Sequence, residues 1–170
     1  MLGNRIMIIG CCGSGKTTLA NELSKILNLQ VFHLDKLYWK PGWIESTKEE
    51  WIEKQKSIVK NNDWIIDGNY AGSLDIRLNR CTSVIFLDYS RWICVYRIFK
   101  RLLYAFGKTR EDMAEGCRER INFQFFRFVW NFRKKSRHKI IEKMEMYNNI
   151  QKLILRTPKE TKTFTKEFSE

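Results

Sequence analysis

Gly10-Cys11-Cys12-Gly13-Ser14-Gly15-Lys16-Thr17-Thr18 is the stretch on which the reading of the whole chain turns. It matches G-x-x-x-x-G-K-[ST], the spacing of a phosphate-binding loop. The flanks agree with the match. Arg5-Ile-Met-Ile-Ile9 has the length and β-branching of a buried strand, and Leu19, Leu23, Ile26 and Leu27 recur at helical spacing. Gly10, Gly13 and Gly15 let the backbone turn its N–H groups towards one point, and a helix starting near Lys16 adds the positive end of its dipole. Lys16 then reaches the β- and γ-phosphates, and the Thr17 hydroxyl becomes a ligand for Mg²⁺. Residues Gly10 to Thr18 are therefore expected to hold a nucleoside triphosphate, ATP, with its metal.

Working outward, 170 residues suffice for one domain with a real core. No apolar run approaches the ~18 residues needed to span a bilayer and no cleavable leader is visible, so no membrane partner is expected. Cys11, Cys12, Cys81, Cys94 and Cys117 are odd in number and form no C-x-x-C pair. That argues against a disulfide framework or a structural zinc and fits a reducing cytoplasm. Charge is unevenly spread. Residues 91–140 carry 14 Lys/Arg against 4 Asp/Glu, ten of the net +12. That segment is either a solvated basic face or the place where something anionic is met.

The pattern alternates strand and helix throughout. Gln30-Val-Phe-His-Leu34 reads as a second strand ending at Asp35, and Lys36 to Trp43 as an aromatic loop punctuated by Pro41 and Gly42. Ser46 or Thr47 caps a helix with Glu49 or Glu50 at its third position. Trp64-Ile-Ile-Asp67 is a third strand, a short helix follows around Ser73 to Leu78, and Ser83-Val-Ile-Phe-Leu87 is a fourth strand ending at Asp88. Trp92 to Phe106 reads as a helix, Gly107 to Cys117 as a polar loop, and about Glu119 to Tyr147 as a long helical region breaking near Lys134 to Arg137. Lys152-Leu-Ile-Leu155 is the fifth strand, and a short amphipathic helix follows Pro158. Short apolar strands separated by helices imply an α/β fold, a parallel sheet covered on both faces, with ligands outside the strands' carboxyl ends.

Three carboxylates fall at those ends. Asp67 has the form of the acid that holds Mg²⁺ in such sites. Asp35 sits where an acceptor is met and is a candidate general base, although a strand-end Asp also caps turns. Asp88 reads as such a cap. The basic segment is rich in arginine, whose planar fork suits phosphate. Arg97 and Arg101, four apart, share a helix face. Phe123, Phe125, Phe126, Phe128 and Trp130 interleave with the charge; that mixing serves either nucleic-acid stacking or the buried side of a helix. Tyr38, Trp39 and Trp43 suit either a stacked ligand or packing onto the sheet. His33 and His138 have no partner suggesting a metal site.

On these residues the chain resembles the adenylate-kinase-like P-loop kinases over roughly residues 4–160, through the phosphate loop, Asp67-Gly68, and the spacing from Asp88 to Arg97 and Arg101. The resemblance implies a sheet order 2-3-1-4-5. It also implies Arg97 over the ATP base, Arg101 on phosphate, and a lid over residues 107–120 in which Arg110 closes on the transferred group. Residues 36–62 would be the acceptor-binding helical insertion. Asn69-Tyr70 replaces the Pro-Arg usual in nucleoside monophosphate kinases, which points away from that acceptor. A narrower resemblance is to the DNA topology modulation proteins, also called FlaR-like. It rests on His33-Leu-Asp-Lys-Leu-Tyr-Trp-Lys-Pro-Gly-Trp43, Trp64-Ile-Ile-Asp-Gly-Asn-Tyr70 and Thr109-Arg-Glu-Asp-Met-Ala-Glu-Gly-Cys117.

Two functions follow as expectations. The first is a cytoplasmic, Mg²⁺-dependent ATP phosphotransferase or ATPase acting on a small acceptor. In it Lys16, Asp35, Arg101 and Arg110 are catalytic, Thr17 and Asp67 hold the metal, and Arg97 holds the nucleotide. The second is a nucleotide-gated DNA-binding protein using the surface from Arg118 to Lys139, with affinity that falls steeply with salt.

Overall fold

The computed structural model describes residues 2–107, 109, 111–118 and 123–168. The chain runs β1 (Arg5–Gly10), α1 (Lys16–Leu27), β2 (Val31–His33), α2 (Leu34–Tyr38), β3 (Trp39–Lys40), β4 (Ile44–Glu45), α3 (Lys48–Val59), β5 (Trp64–Asp67), α4 (Leu74–Leu78), β6 (Ser83–Leu87), α5 (Arg91–Ala105), α6 (Phe123–Lys135), α7 (Arg137–Glu145), β7 (Gln151–Leu155) and α8 (Pro158–Lys166). A single 3-10 turn, Ala71–Ser73, precedes α4.

Five strands form one parallel sheet in the order β2-β5-β1-β6-β7. That is the order 2-3-1-4-5 when the sheet strands alone are counted. Central β1 is a continuous apolar run because helices cover both faces; Ile6 to Ile9 are wholly buried. Ile8 pairs with Asp67 and Gly10 with Leu87, so the phosphate loop, Asp67 and Asp88 leave the sheet at the same edge. Cys94, Ile98 and Leu102 turn the buried face of α5 onto this core. No helix among the described residues is long and apolar enough to cross a membrane.

Two local expectations need correction. Lys36 to Trp43 is not a loop. It belongs to the short helix α2 and to an antiparallel hairpin that pairs Trp39 with Glu45 and Lys40 with Ile44. The turn at Gly42-Trp43 has both residues at positive φ (79° and 66°), a hairpin geometry that Trp at the second position conceals. Asp88 does not cap α5, whose N-cap Ser90 makes no side-chain cap bond. The buried Asp88 carboxylate instead shares the Arg137 Nε proton between its oxygens, at 2.9 and 2.8 Å, with Arg137 Nη2 at 2.8 Å and Arg133 Nε at 3.8 Å. The long helical region breaks at Ser136, between α6 and α7.

The start of α3 is a full capping box, in which Thr47 Oγ1 accepts from Glu50 N and the Glu50 carboxylate accepts from Thr47 N. Thr47→Ala is expected to lower unfolding stability by about 1 kcal/mol in a denaturant titration; an unchanged midpoint contradicts the cap. The hydrogen bond from Lys40 and then the Thr47 amide hold Glu50 below its ordinary pKa. This contribution is present at neutral pH and is lost as pH falls through that lowered value.

Candidate active site

The loop from Gly10 to Lys16 is built by contacts that its glycines alone permit. Gly13 has φ 79°, and a Cβ there would lie 2.5 Å from the Cys94 carbonyl oxygen and 2.9 Å from Ile98 Cγ1. The loop is therefore pressed onto α5. Gly15, at φ 97°, is the N-cap of α1, so the first amides of that helix point into the loop. Lys16 Nζ donates to the Cys11 carbonyl at 3.2 Å. Desolvation works against the Lys16 ammonium, but interaction with the Cys12 thiol and the Asp67 and Asp35 carboxylates more than offsets it, and its pKa is raised. The lysine is charged at every physiological pH.

Asn69 reaches back from the end of β5 to the phosphate loop. Its Oδ1 accepts from Gly10 N at 2.9 Å and its Nδ2 donates to Gly10 O at 2.6 Å, a two-point clamp on the loop's first residue. Behind it, wholly buried Arg77 donates through Nη1 to Gly68 O at 2.8 Å and through Nη2 to Asn69 O and Tyr70 O. Burial pushes the Arg77 pKa down to about 9, still above neutral, so the guanidinium keeps its charge. Neither the clamp nor its support is visible in a linear reading.

Thr17 Oγ1 lies 2.8 Å from Asp67 Oδ2 and 3.0 Å from Asp112 Oδ2. Its single proton serves one of them at a time. His33 Nδ1 is 3.1 Å from the same Asp67 oxygen, a partner the sequence did not disclose. Buried Asp67 Oδ1 has no hydrogen-bond partner among the described residues, nor has Ser14 Oγ within the loop. No three His, Cys, Asp or Glu side chains form a preformed metal cage among the described residues.

Asp35, on α2, accepts a 2.8 Å hydrogen bond from the Tyr70 hydroxyl. Burial first, then the Asp35 charge, raises the Tyr70 pKa, which keeps that hydroxyl protonated and donating. Arg97 donates from Nη1 to Ser14 O at 2.9 Å and lies over the Tyr89 ring at 5.5 Å. Arg101 lines the same cavity one turn further along α5. Arg110 lies outside the described residues. Across the site, Met113, Ala114 and Cys117 pack with Trp39 and Trp43 in a small separate core, and Trp43 Nε1 donates to Arg118 O at 3.1 Å. The segment following α5 thus sits down on the β3–β4 hairpin.

Loop, sheet edge and this covering segment enclose a cavity of about 1020 Å³. Charges of both signs share its wall. Lys16, Arg97, Arg101 and Lys162 line it together with Asp35, Asp67, Asp112, Trp39, Trp43 and Tyr70.

A five-stranded parallel sheet with this loop at its carboxyl edge defines a P-loop nucleotide-binding protein. The AAA domain family model matches residues 6–102. That is more than half of the 170-residue chain, and the chain belongs to this family. No curated protein matches its sequence. Among solved structures it is similar to shikimate kinase from Acinetobacter baumannii, with TM-score 0.59 and 13% identity over 99% of this chain and 92% of that one. It is also similar to a gluconokinase from Sinorhizobium meliloti 1021, with TM-score 0.58 and 12% identity over 98% and 90% of the two chains. Deoxyadenosine kinase from M. mycoides aligns with TM-score 0.50 and 16% identity over 96% and 97%. At these identities the likeness is one of fold.

Proposed function

We propose that the protein is an ATP-dependent phosphotransferase that moves the γ-phosphoryl group to the hydroxyl of a small acceptor. The observation that carries this reading is the single cavity, whose wall joins the phosphate loop and its cations to Asp35. Kinase folds of the three neighbours support it, each named for a different small acceptor.

In this reading Lys16 and the α1 amides bind the β- and γ-oxygens, and Arg97 and Arg101 hold the nucleotide. Asp35 takes the proton as the acceptor oxygen bonds to the γ-phosphorus, while the bond to the β-bridging oxygen breaks and ADP leaves. Fixed donors and a covered site do most of the work, through positioning and charge. Thr17 Oγ1 and the Asp67 carboxylate, one oxygen of which is otherwise without a partner, are hard oxygen donors that fit Mg²⁺. Mg²⁺ bound there supplies charge neutralisation to the phosphates. The segment over 107–120 acts as the lid, Arg110 included, and 36–62 as the acceptor side.

Asp35 and the indoles of Trp39 and Trp43 on the cavity wall favour an alcohol without an anionic group. The alternative, a nucleotide-dependent DNA-binding protein, loses part of its support because Arg137 is held by the buried Asp88. The test is ADP release from MgATP with paired acceptors, a nucleoside with its monophosphate and an amino sugar with its sugar acid, and with double-stranded DNA at two salt concentrations. Stimulation is expected from the uncharged or amine-bearing member of a pair. Stimulation by DNA alone, fading with salt, overturns the kinase reading.

A further inference from the structure

The basic segment carries a second feature, on the side of α5 turned away from the cavity. On α5, Trp92, Tyr96, Phe99 and Leu103 are 67, 64, 57 and 68% exposed. At 100° per residue these four fall within an arc of about 60°, a single stripe along the helix. The buried face of Cys94, Ile98 and Leu102 lies on another side, and Arg97 and Arg101 point to the cavity on a third. The stripe continues onto α6. Trp92 meets Trp130 edge to face at 4.8 Å between centroids, and Phe123, seven residues before Trp130 on the same side of α6, is 83% exposed. Phe106, just past α5, extends it at the other end.

Charge surrounds this stripe without entering it. Residues 91–107 contain Arg91, Arg97, Lys100 and Arg101 and no Asp or Glu. Arg91 lies over the Trp130 ring at 5.1 Å, and Lys100 borders the stripe next to Tyr96. Monomeric proteins rarely leave so large an apolar face open without a use for it.

We propose that this face of α5 and α6 docks onto the surface of an anionic phospholipid bilayer, with α5 lying in the interfacial plane. Charge decides among the occupants. A second copy of the chain would bring two acid-free, cationic helices together. A nucleic acid needs cations interleaved with the stacking rings, whereas here the rings form an uncharged strip with cations at its margins. A coiled-coil partner favours Leu, Ile or Val at such seam positions rather than Trp, Tyr and Phe. An apolar strip of aromatic residues bordered by Lys and Arg is the pattern of an interfacial helix, the rings at headgroup depth and the cations on anionic headgroups. This is a surface contact and spans nothing. Because the stripe faces away from the phosphate loop, docking leaves the cavity accessible.

The test is co-sedimentation of the full chain with phosphatidylcholine vesicles and with vesicles containing phosphatidylglycerol, at low and high salt. Light scattering without lipid and a single-stranded DNA arm run alongside. Binding to the anionic vesicles is expected to exceed binding to the neutral ones by about tenfold or more and to weaken with salt. Phe99→Glu with Leu103→Glu should reduce it by about tenfold or more, with the circular dichroism and ATP binding of the parent unchanged. Equal sedimentation with both vesicle types, none with either, or no response to the double variant overturns the proposal. So does a dimer that the variant dissociates, which would make the face a self-interface. DNA binding that the variant abolishes while vesicle binding persists overturns it as well.

Discussion

Lys16→Ala is expected to lower phosphoryl transfer by at least about 10²–10³-fold, the size of effect seen when one preorganised donor to a developing oxyanion is removed. Three features make this the largest functional effect. The ammonium is held at the loop by the Cys11 carbonyl, its raised pKa keeps it charged across any practical assay range, and its neighbours cannot replace it. Arg97 is already committed to the Ser14 carbonyl. Lys16 is not part of the hydrophobic core, so the variant should keep the parent's fold, with a small loss of stability from the hydrogen bond to Cys11 O. The measurement is ADP release with the best acceptor, alongside a denaturant titration. Turnover within tenfold of the parent would sink the assigned role of Lys16. Lost turnover together with lost stability would point instead to a damaged loop.

Why the sequence disclosed some of this and hid the rest has a physical basis. The phosphate loop was legible because its function resides in backbone geometry, and glycine spacing records that geometry locally. The central strands were legible because a parallel sheet covered on both sides demands continuous apolar runs, as in Ile6 to Ile9 and Trp64 to Ile66. Thr47 and Glu50 were legible because a capping box lies within one helical turn. The strand order came from resemblance, not from pattern. What stayed hidden are pairs of side chains brought together by the fold. Asn69 grips Gly10 across 59 positions, Asp88 meets Arg137 across 49, and Thr17 meets Asp112 across 95. Such pairs carry no local signature. The arginine excess left two uses open for the same reason, since neither the bond from Arg137 to a buried carboxylate nor that from Arg97 to the loop has a local signature. The hairpin was missed for a different reason, since Trp43 occupies a positive φ at which Gly or Asn would have marked a turn.

Arg77→Ala should be the most destabilising single change in this region, by about 3 kcal/mol or more, because it strands buried carbonyls that have charged donors in the parent. Gly68 O, Asn69 O and Tyr70 O all accept from this one guanidinium, which is wholly buried. Those three residues form the turn that follows Asp67 and carries the Asn69 clamp on Gly10. Loosening the turn therefore weakens nucleotide binding as well as the fold. Loss of side-chain volume alone predicts a different pattern, and Arg77→Met separates the two. Methionine fills much of the same space but donates nothing, so if the carbonyls decide the outcome it should be nearly as destabilising as alanine. Arg77→Lys keeps the charge but presents it as a single point without the planar fork, and should fall between methionine and the parent. Denaturant midpoints of the three variants, with ATP affinity measured on each, read the order directly. Methionine restoring most of the stability would mean that packing, not the capture of the turn's carbonyls, is what Arg77 contributes.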